Sequence, residues 1–177
     1  GATTTATMDS NNNRITSVFL CGCGTVGLNT LKMIEELHLP FDVQGVFVRD
    51  VGKSRPGLKK QYRFTSAIDD VLRSDADMIV EVIGGISTAQ TIIEDAMKKG
   101  KIVVTANKAL LAEHPEYLQY PKMRFEASVA GGIPIIRTLK ECTMPPISRI
   151  SAVLNGTCNY IMDKMTSEEL TYADALR

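Results

Sequence analysis

The 177-residue chain has no tryptophan and only two histidines, and its four cysteines are scattered as Cys21, Cys23, Cys142 and Cys158. That is too few and too spread for a disulfide scaffold. Cys21 and Cys23 form C-x-C rather than C-x-x-C, with no second Cys/His pair at zinc-ligand spacing. No apolar run reaches the ~18 residues that span a bilayer, so no membrane partner is expected. Net charge is also lacking: Lys+Arg and Asp+Glu stand at 20 each. No overall field steers the chain to nucleic acid or to an anionic surface.

Residues 1–13 (GATTTATMDSNNN) are small, polar and aperiodic. They read as a disordered leader or tag, with Met8 a candidate initiator and without the apolar core of a secretory signal, which makes a cytoplasmic address the expectation.

What remains is 44% hydrophobic and 23% charged, an ordinary globular balance. Short β-rich runs alternate with helical patterns. Arg14–Cys21 predicts a strand, then a helix follows over about Val26–Leu37 with Leu28, Leu31, Ile34 and Leu37 on one side. Pro40 stops that helix. Asp42–Val48 is the second strand, and Arg49–Arg63 a long polar loop. Ser66 is expected to cap a helix through Arg73. Asp77–Ile83 is a strand, Ser87–Lys99 a helix ended by Gly100, and Lys101–Thr105 a strand. Strands separated by helices of this length pair in parallel through right-handed crossovers. The fold class is therefore α/β, a doubly wound Rossmann-type sheet, over residues 14–122.

After Ala112 the pattern changes. His114–Lys122 reads as a connector into a partial α/β substrate or dimerisation domain over 123–177. Expected there are a strand Arg124–Val129, a break at Gly131-Gly132, a helix near Pro134–Glu141, a strand Ser148–Leu154 and a last helix opened by Asn155-Gly156-Thr157.

Gly22-Cys23-Gly24-Thr25-Val26-Gly27 is G-x-G-x-x-G at the junction of the first strand and first helix. Gly22 permits the tight turn, Gly24 lets a pyrophosphate approach the backbone, and Gly27 lets helix and strand pack closely. The helix start presents free N–H groups to phosphate.

The second strand ends in Arg49-Asp50, where the adenine ribose is read. An acid suits the hydroxyls of NAD and an arginine the 2′-phosphate of NADP. Arg49 comes first and Lys53, Arg55, Lys59 and Lys60 follow, so the reading leans to NADP while NAD stays open. Ile83-Gly84-Gly85 ends the next strand, where glycines let the nicotinamide side lie against the backbone. Lys108, at the carboxyl end of the following strand, is an acid/base or carbonyl-polarising candidate.

Five blocks together resemble homoserine dehydrogenases, in order: GCGTVG, DADMIVEVIGG, VVTANKALLA, FEASVAGGIPII and VLNGTCNYI. The resemblance covers about Ile15 to Met165 and implies NAD(P)-dependent interconversion of L-aspartate 4-semialdehyde and L-homoserine. It also implies a small-molecule substrate and a homodimer or larger homo-oligomer.

By that likeness Gly22, Gly24, Thr25 and Val26 form the pyrophosphate loop, with Ile83 and Gly84 on the nicotinamide side. Lys108 would be a catalytic lysine near cofactor and substrate, acting beside the family's principal acid/base lysine farther along. Glu126, Val129, Gly131 and Ile133 would offer oxygens to a structural sodium ion, and Asn155, Gly156 and Thr157 would frame the substrate pocket. The family's later G-Y-A-E-x-D-P block and its Asp…Lys pair do not occur in this sequence. The expectation for the chain itself is cofactor binding with little turnover. Another semialdehyde or amino-acid dehydrogenase of this fold, or a non-catalytic nucleotide-binding module, is the alternative.

Overall fold

The computed structural model describes residues 15–141, 147–149, 151–152 and 156–176, and the chain divides into two units after Ile133.

In the first unit the strands are β1 (Thr16–Cys21), β2 (Phe41–Phe47), β3 (Phe64–Thr65), β4 (Met78–Glu81), β5 (Ile102–Thr105) and β6 (Met123–Arg124). All pair in parallel, in the order β3-β2-β1-β4-β5-β6. That is the Rossmann order, in which winding reverses between β1 and β4. The fold class expected from strand–helix alternation is the one found.

The period-two alternation of β1 explains the layering. Phe19 and Cys21 face one side of the sheet, with Ile92 and Ile93 of α3 (Ser87–Lys98) and Leu110 of α4 (Lys108–Glu113). Leu20 faces the other, with Leu31 of α1 (Thr25–Glu36) and Val46. These side chains are almost wholly buried. Each contributes roughly 1.5–3 kcal/mol relative to exposure.

Register is set by local steric fit. The β1–β2 ladder slips between Val18 and Phe19, which brings Gly45 opposite Phe19. A Cβ on Gly45 would lie 2.6 Å from the Phe19 ring, so the aromatic ring occupies the place of a side chain. At the amino ends, Ser17 N–H and Oγ donate to Asp77 Oδ2 (3.1 and 2.8 Å), and Asp77 N–H donates to Ser17 Oγ at 2.9 Å. β1 and β4 are thereby locked edge to edge.

Three expectations for this unit need correction. Leu37 lies just past the end of α1 and is 60% exposed, while Gly27 joins Leu31 and Ile34 on the buried face. Ser66 does not cap the helix that follows. α2 (Ile68–Leu72) starts after Ala67, whose N–H donates to Thr65 Oγ1 at 3.1 Å, so the residue before Ser66 supplies the hydroxyl. The expected Arg124–Val129 strand does not extend beyond Arg124. Ser128 N–H and Oγ both donate to the Phe125 carbonyl (3.0 and 2.6 Å), and the chain coils into a 3-10 turn over Glu126–Ser128. A serine bonding back to nearby backbone competes with the ladder in this way. The connector itself contains a 3-10 helix, Pro115–Gln119, whose Tyr117 is buried.

Met123 and Arg124, expected in the second domain, pair with Val103 and Val104 and complete the first unit's sheet.

The second unit holds α5 (Ile135–Glu141), α6 (Gly156–Ser167) and α7 (Tyr172–Ala175). Thr171 caps α7, its Oγ1 accepting from Asp174 N–H at 3.3 Å. Ser148, Arg149, Ser151 and Ala152 form no strand; Ile150 and residues 153–154 of that expected strand lie outside the described residues. A strand needs a paired neighbour for its N–H and C=O groups, and none is present among the described residues of this unit. No helix among the described residues is long and apolar enough to cross a membrane.

Candidate dinucleotide-binding site

A cleft of about 760 Å³ opens at the carboxyl ends of the strands, at the point of reversal. The segments after β1 (Gly22–Gly24), β2 (Val48–Asp50) and β4 (Val82–Ile86) line it, with Ser87 and Thr88 opening α3. A second cavity, of about 750 Å³, lies at the opposite, amino ends of the strands. Its Lys99, Lys101 and Lys122 donate to the carbonyls of Leu72, Ser74 and Gly100. Those cations are engaged in terminating helices, so the chemistry belongs to the first cleft.

The three motif glycines have separate steric duties. Gly22 has φ +106°, and a Cβ there would meet the Val82 carbonyl at 2.6 Å. On Gly27 a Cβ would lie 2.1 Å from the Gly22 oxygen. Gly24 differs: its φ is −80° and a Cβ would meet nothing within 4 Å. Fold geometry therefore demands glycine at 22 and 27. At 24 it leaves open space in front of α1, where Thr25 and Val26 are exposed. No side chain caps that helix and no acid sits in its first turn. Its leading N–H groups remain free for an anion.

Cys23, between the glycines, has its thiol pushed up by burial, with the Arg55 guanidinium beside it offsetting part of the effect. The thiol of Cys21 is driven further up, by complete burial and then by Glu81. Neither is a nucleophile at neutral pH.

At the end of β2, Arg49 and Asp50 both rim the cleft. Asp50 Oδ1 accepts the Gly52 N–H at 2.8 Å, which turns the carboxyl back into its own loop. Arg55 donates to the carbonyls of Asp50 (2.7 Å) and Lys53 (2.6 Å) and lies 4.5 Å over the Phe64 ring. Its guanidinium thus clamps the loop. Arg49 and Lys53 are exposed, and their cationic groups take no partner among the described residues.

On the other side of the reversal, Ile83, Gly84 and Gly85 line the cleft, the glycines at φ +77° and +78°. Asn107 caps α4, its Oδ1 accepting Leu110 N–H at 3.1 Å, while its Nδ2 donates to the Gly85 carbonyl at 2.6 Å. Lys108 follows as the first residue of α4 and is exposed; its backbone N–H donates to the Ala106 carbonyl at 3.2 Å, while its ammonium takes no hydrogen-bond or ion-pair partner among the described residues. The buried groups beneath these turns, Glu81 and Thr105, were not singled out in the sequence, where each reads as one more strand residue.

Glu126, Val129, Gly131 and Ile133 fall in one tight stretch. Val129 N–H donates to the Glu126 carbonyl at 3.2 Å, and Ala130 and Gly131 adopt φ +54° and +59°. Among the described residues no three His, Cys, Asp or Glu side chains gather as metal ligands. Asn155 lies outside the described residues, and Gly156 and Thr157 open α6 in the second unit.

Comparison with known proteins fits this geometry. The family model for the homoserine dehydrogenase NAD-binding domain matches residues 22–129, and that for homoserine dehydrogenase itself matches 134–177. The chain belongs to the homoserine dehydrogenase family. It is 38% identical to the homoserine dehydrogenase of Bacillus subtilis and 36% to that of Corynebacterium glutamicum, over 90% of its length. It spans 41% and 39% of those two proteins. Among solved structures, the Thiobacillus denitrificans homoserine dehydrogenase matches with a TM-score of 0.74 at 32% identity, over 91% of this chain and 41% of that one. A hyperthermophilic archaeal homoserine dehydrogenase in complex with NADPH matches at 0.70 and 26%, over 91% of this chain and 59% of that one.

Proposed function

We propose that this part of a homoserine dehydrogenase holds NADP(H) in the cleft, and that the whole protein interconverts L-aspartate 4-semialdehyde and L-homoserine. The observation that carries the reading is the open space at Gly24 in front of an uncapped helix N-terminus. A pyrophosphate would rest there on the N–H groups of Gly24, Thr25 and Val26. The preference for NADP rests on Arg49, whose guanidinium has no partner among the described residues, whereas Asp50 is tied to Gly52. The archaeal relative solved with NADPH supports the same cofactor.

The nicotinamide, when bound, supplies or accepts a hydride. Ile83 and Gly84 would bear its ring side. The free ammonium of Lys108 would polarise the substrate carbonyl and hold a proton at Nζ. Asn155, Gly156 and Thr157 would frame the substrate, and homo-oligomer formation and a cytoplasmic address belong to the same proposal. A sodium ion would suit the 126–133 stretch, because a hard cation takes main-chain carbonyls such as those of Val129, Gly131 and Ile133, with Glu126 adding its own oxygens.

The test is a fluorescence titration of this chain with NADPH and NADH. Saturable binding with NADPH the tighter ligand is expected. Failure to bind either nucleotide would overturn the assignment and put a vestigial loop in its place.

A further inference from the structure

Glu81 and Thr105 are the last residues of neighbouring strands and are register partners, and both are completely buried. A carboxyl group at such a position is costly, since apolar side chains would fill it without loss of hydration. Its contacts show what it does. Oε1 accepts the N–H of Ile83 at 2.9 Å, and Oε2 accepts from Thr105 Oγ1 at 2.6 Å. The Thr105 hydroxyl in turn accepts Asn107 N–H at 3.0 Å, and Asn107 Nδ2 donates to the Gly85 carbonyl at 2.6 Å. These bonds close a ring, through the backbone, that runs from the β4 turn to the β5 turn and back.

We infer that Glu81 and Thr105 are a positioning pair that fixes the Ile83–Gly85 turn, on the nicotinamide side of the cleft, relative to the Asn107–Lys108 turn beside it. The inference rests on the dinucleotide reading above. Both turns leave the sheet where ladder bonding stops, and the two left-handed glycines give the first no stiffness of its own. The buried carboxyl supplies the acceptors that the ladder no longer offers to Ile83 and, through Thr105, to Asn107. The effect falls on one half of the cofactor: the ring's side-chain hydrogen bonds all run within β4, β5 and their turns, and none goes to the turns after β1 and β2 that form the adenine end.

Thr105→Val removes the hydroxyl at nearly constant volume, and Thr105→Ser restores it. Each variant of this chain would be titrated with NADPH and with 2′-phospho-ADP-ribose, which lacks nicotinamide. Thr105→Val is expected to weaken NADPH about tenfold, the scale of one lost charge-assisted hydrogen bond, and to leave the fragment within about twofold. Thr105→Ser should match wild type. Equal loss for both ligands, or no loss for either, overturns the inference. Amide hydrogen exchange gives a second decision that needs no nucleotide. Faster exchange over Ile83–Ser87 and Asn107–Leu110 in Thr105→Val, unchanged over Gly22–Gly27, supports the pair; unchanged exchange at both turns overturns it. A wild-type chain that binds neither nucleotide would refute the cofactor assignment, and the exchange result would still judge the ring.

Discussion

Glu35, near the end of α1, accepts the backbone N–H of Lys60 at 2.9 Å, and that of Lys59 at the same distance, so one buried carboxylate ties the helix to the loop behind the cleft. These bonds, with that from Lys59 the largest influence, hold its pKa below the usual carboxylate range. A lowered folded-state pKa contributes stability that is present above the unfolded value of about 4.3 and is lost as pH falls through the folded value. Glu35→Gln sets an amide NH₂ against one of two N–H donors. It should cost about 1–3 kcal/mol at pH 7, read as a lower midpoint in thermal unfolding. The gap between variant and wild type should narrow on acidification below pH 4, once Glu35 itself is protonated. A constant gap across that range would show that the charge is not what holds the loop.

Gly24 and Gly27 differ in what surrounds them, and substitution should separate fold from function. Gly27→Ala drives a methyl into the Gly22 carbonyl, whose oxygen lies 2.1 Å and carbon 2.9 Å from the ideal Cβ position, with the Val82 side chain 3.2 Å away. The expected result is a destabilisation of about 3 kcal/mol or more, seen in denaturant unfolding. Gly24→Ala meets no protein atom and keeps an ordinary φ. It should leave the unfolding midpoint within about 0.5 kcal/mol of wild type while abolishing NADPH binding, because the methyl occupies the space a pyrophosphate needs. Unimpaired NADPH binding by folded Gly24→Ala would place the phosphates elsewhere.

What the sequence made legible, and what it hid, follows from the range of each interaction. The glycine loop, the first strand and the Gly100 helix stop are encoded within a few residues, and all three appear as expected. β3 escaped notice because a two-residue strand has no period. Its place comes from Phe64 and Thr65 pairing with Val46 and Phe47, some twenty residues away. The coil at Glu126–Ser128 turns on a single serine hydroxyl bonding back to Phe125, which no hydrophobic pattern registers. Glu81 is the clearest case. In DMIVEVI it looks like the polar member of an alternating strand, yet it is wholly buried, because its partners lie at 83 and 105.

Tyr117 Oη donates to Glu94 Oε1 at 2.6 Å and pins the 3-10 helix after α4 to α3. Burial first, and then this bond to the carboxylate, push the phenol up to about 12. The neutral phenol is thus the folded form, and its contribution is complete below the unfolded value of about 10 and lost as pH rises towards 12. Tyr117→Phe should lower stability by about 1 kcal/mol at pH 7. The difference from wild type should shrink steadily above pH 10, with the remaining alkaline loss belonging to Tyr62 and Tyr120, whose phenols are also raised. Urea unfolding at a series of pH values reads both effects. Parallel stability curves for the two proteins would mean that Tyr117 does not titrate with the fold.

Arg49 and Asp50 compete for the same ligand group, and their hydrogen bonding decides between them. Asp50 is committed to Gly52 N–H, and Arg55 to the carbonyls of Asp50 and Lys53, which leaves Arg49, at the end of β2, as a cation without a partner among the described residues. A 2′-phosphate held by one guanidinium through charge-assisted bonds gains roughly 1.5–3 kcal/mol, a factor of about ten to a hundred. Arg49→Ala should therefore weaken NADPH by that factor and leave NADH within about twofold, and the NADPH loss should be smaller at high salt. Lys53→Ala tests whether the second unpaired cation shares the load, with a loss of less than about tenfold expected for an exposed point charge. Equal losses for NADPH and NADH in Arg49→Ala would mean that the residue supports the loop rather than reading the phosphate, and would return the choice of cofactor to Asp50.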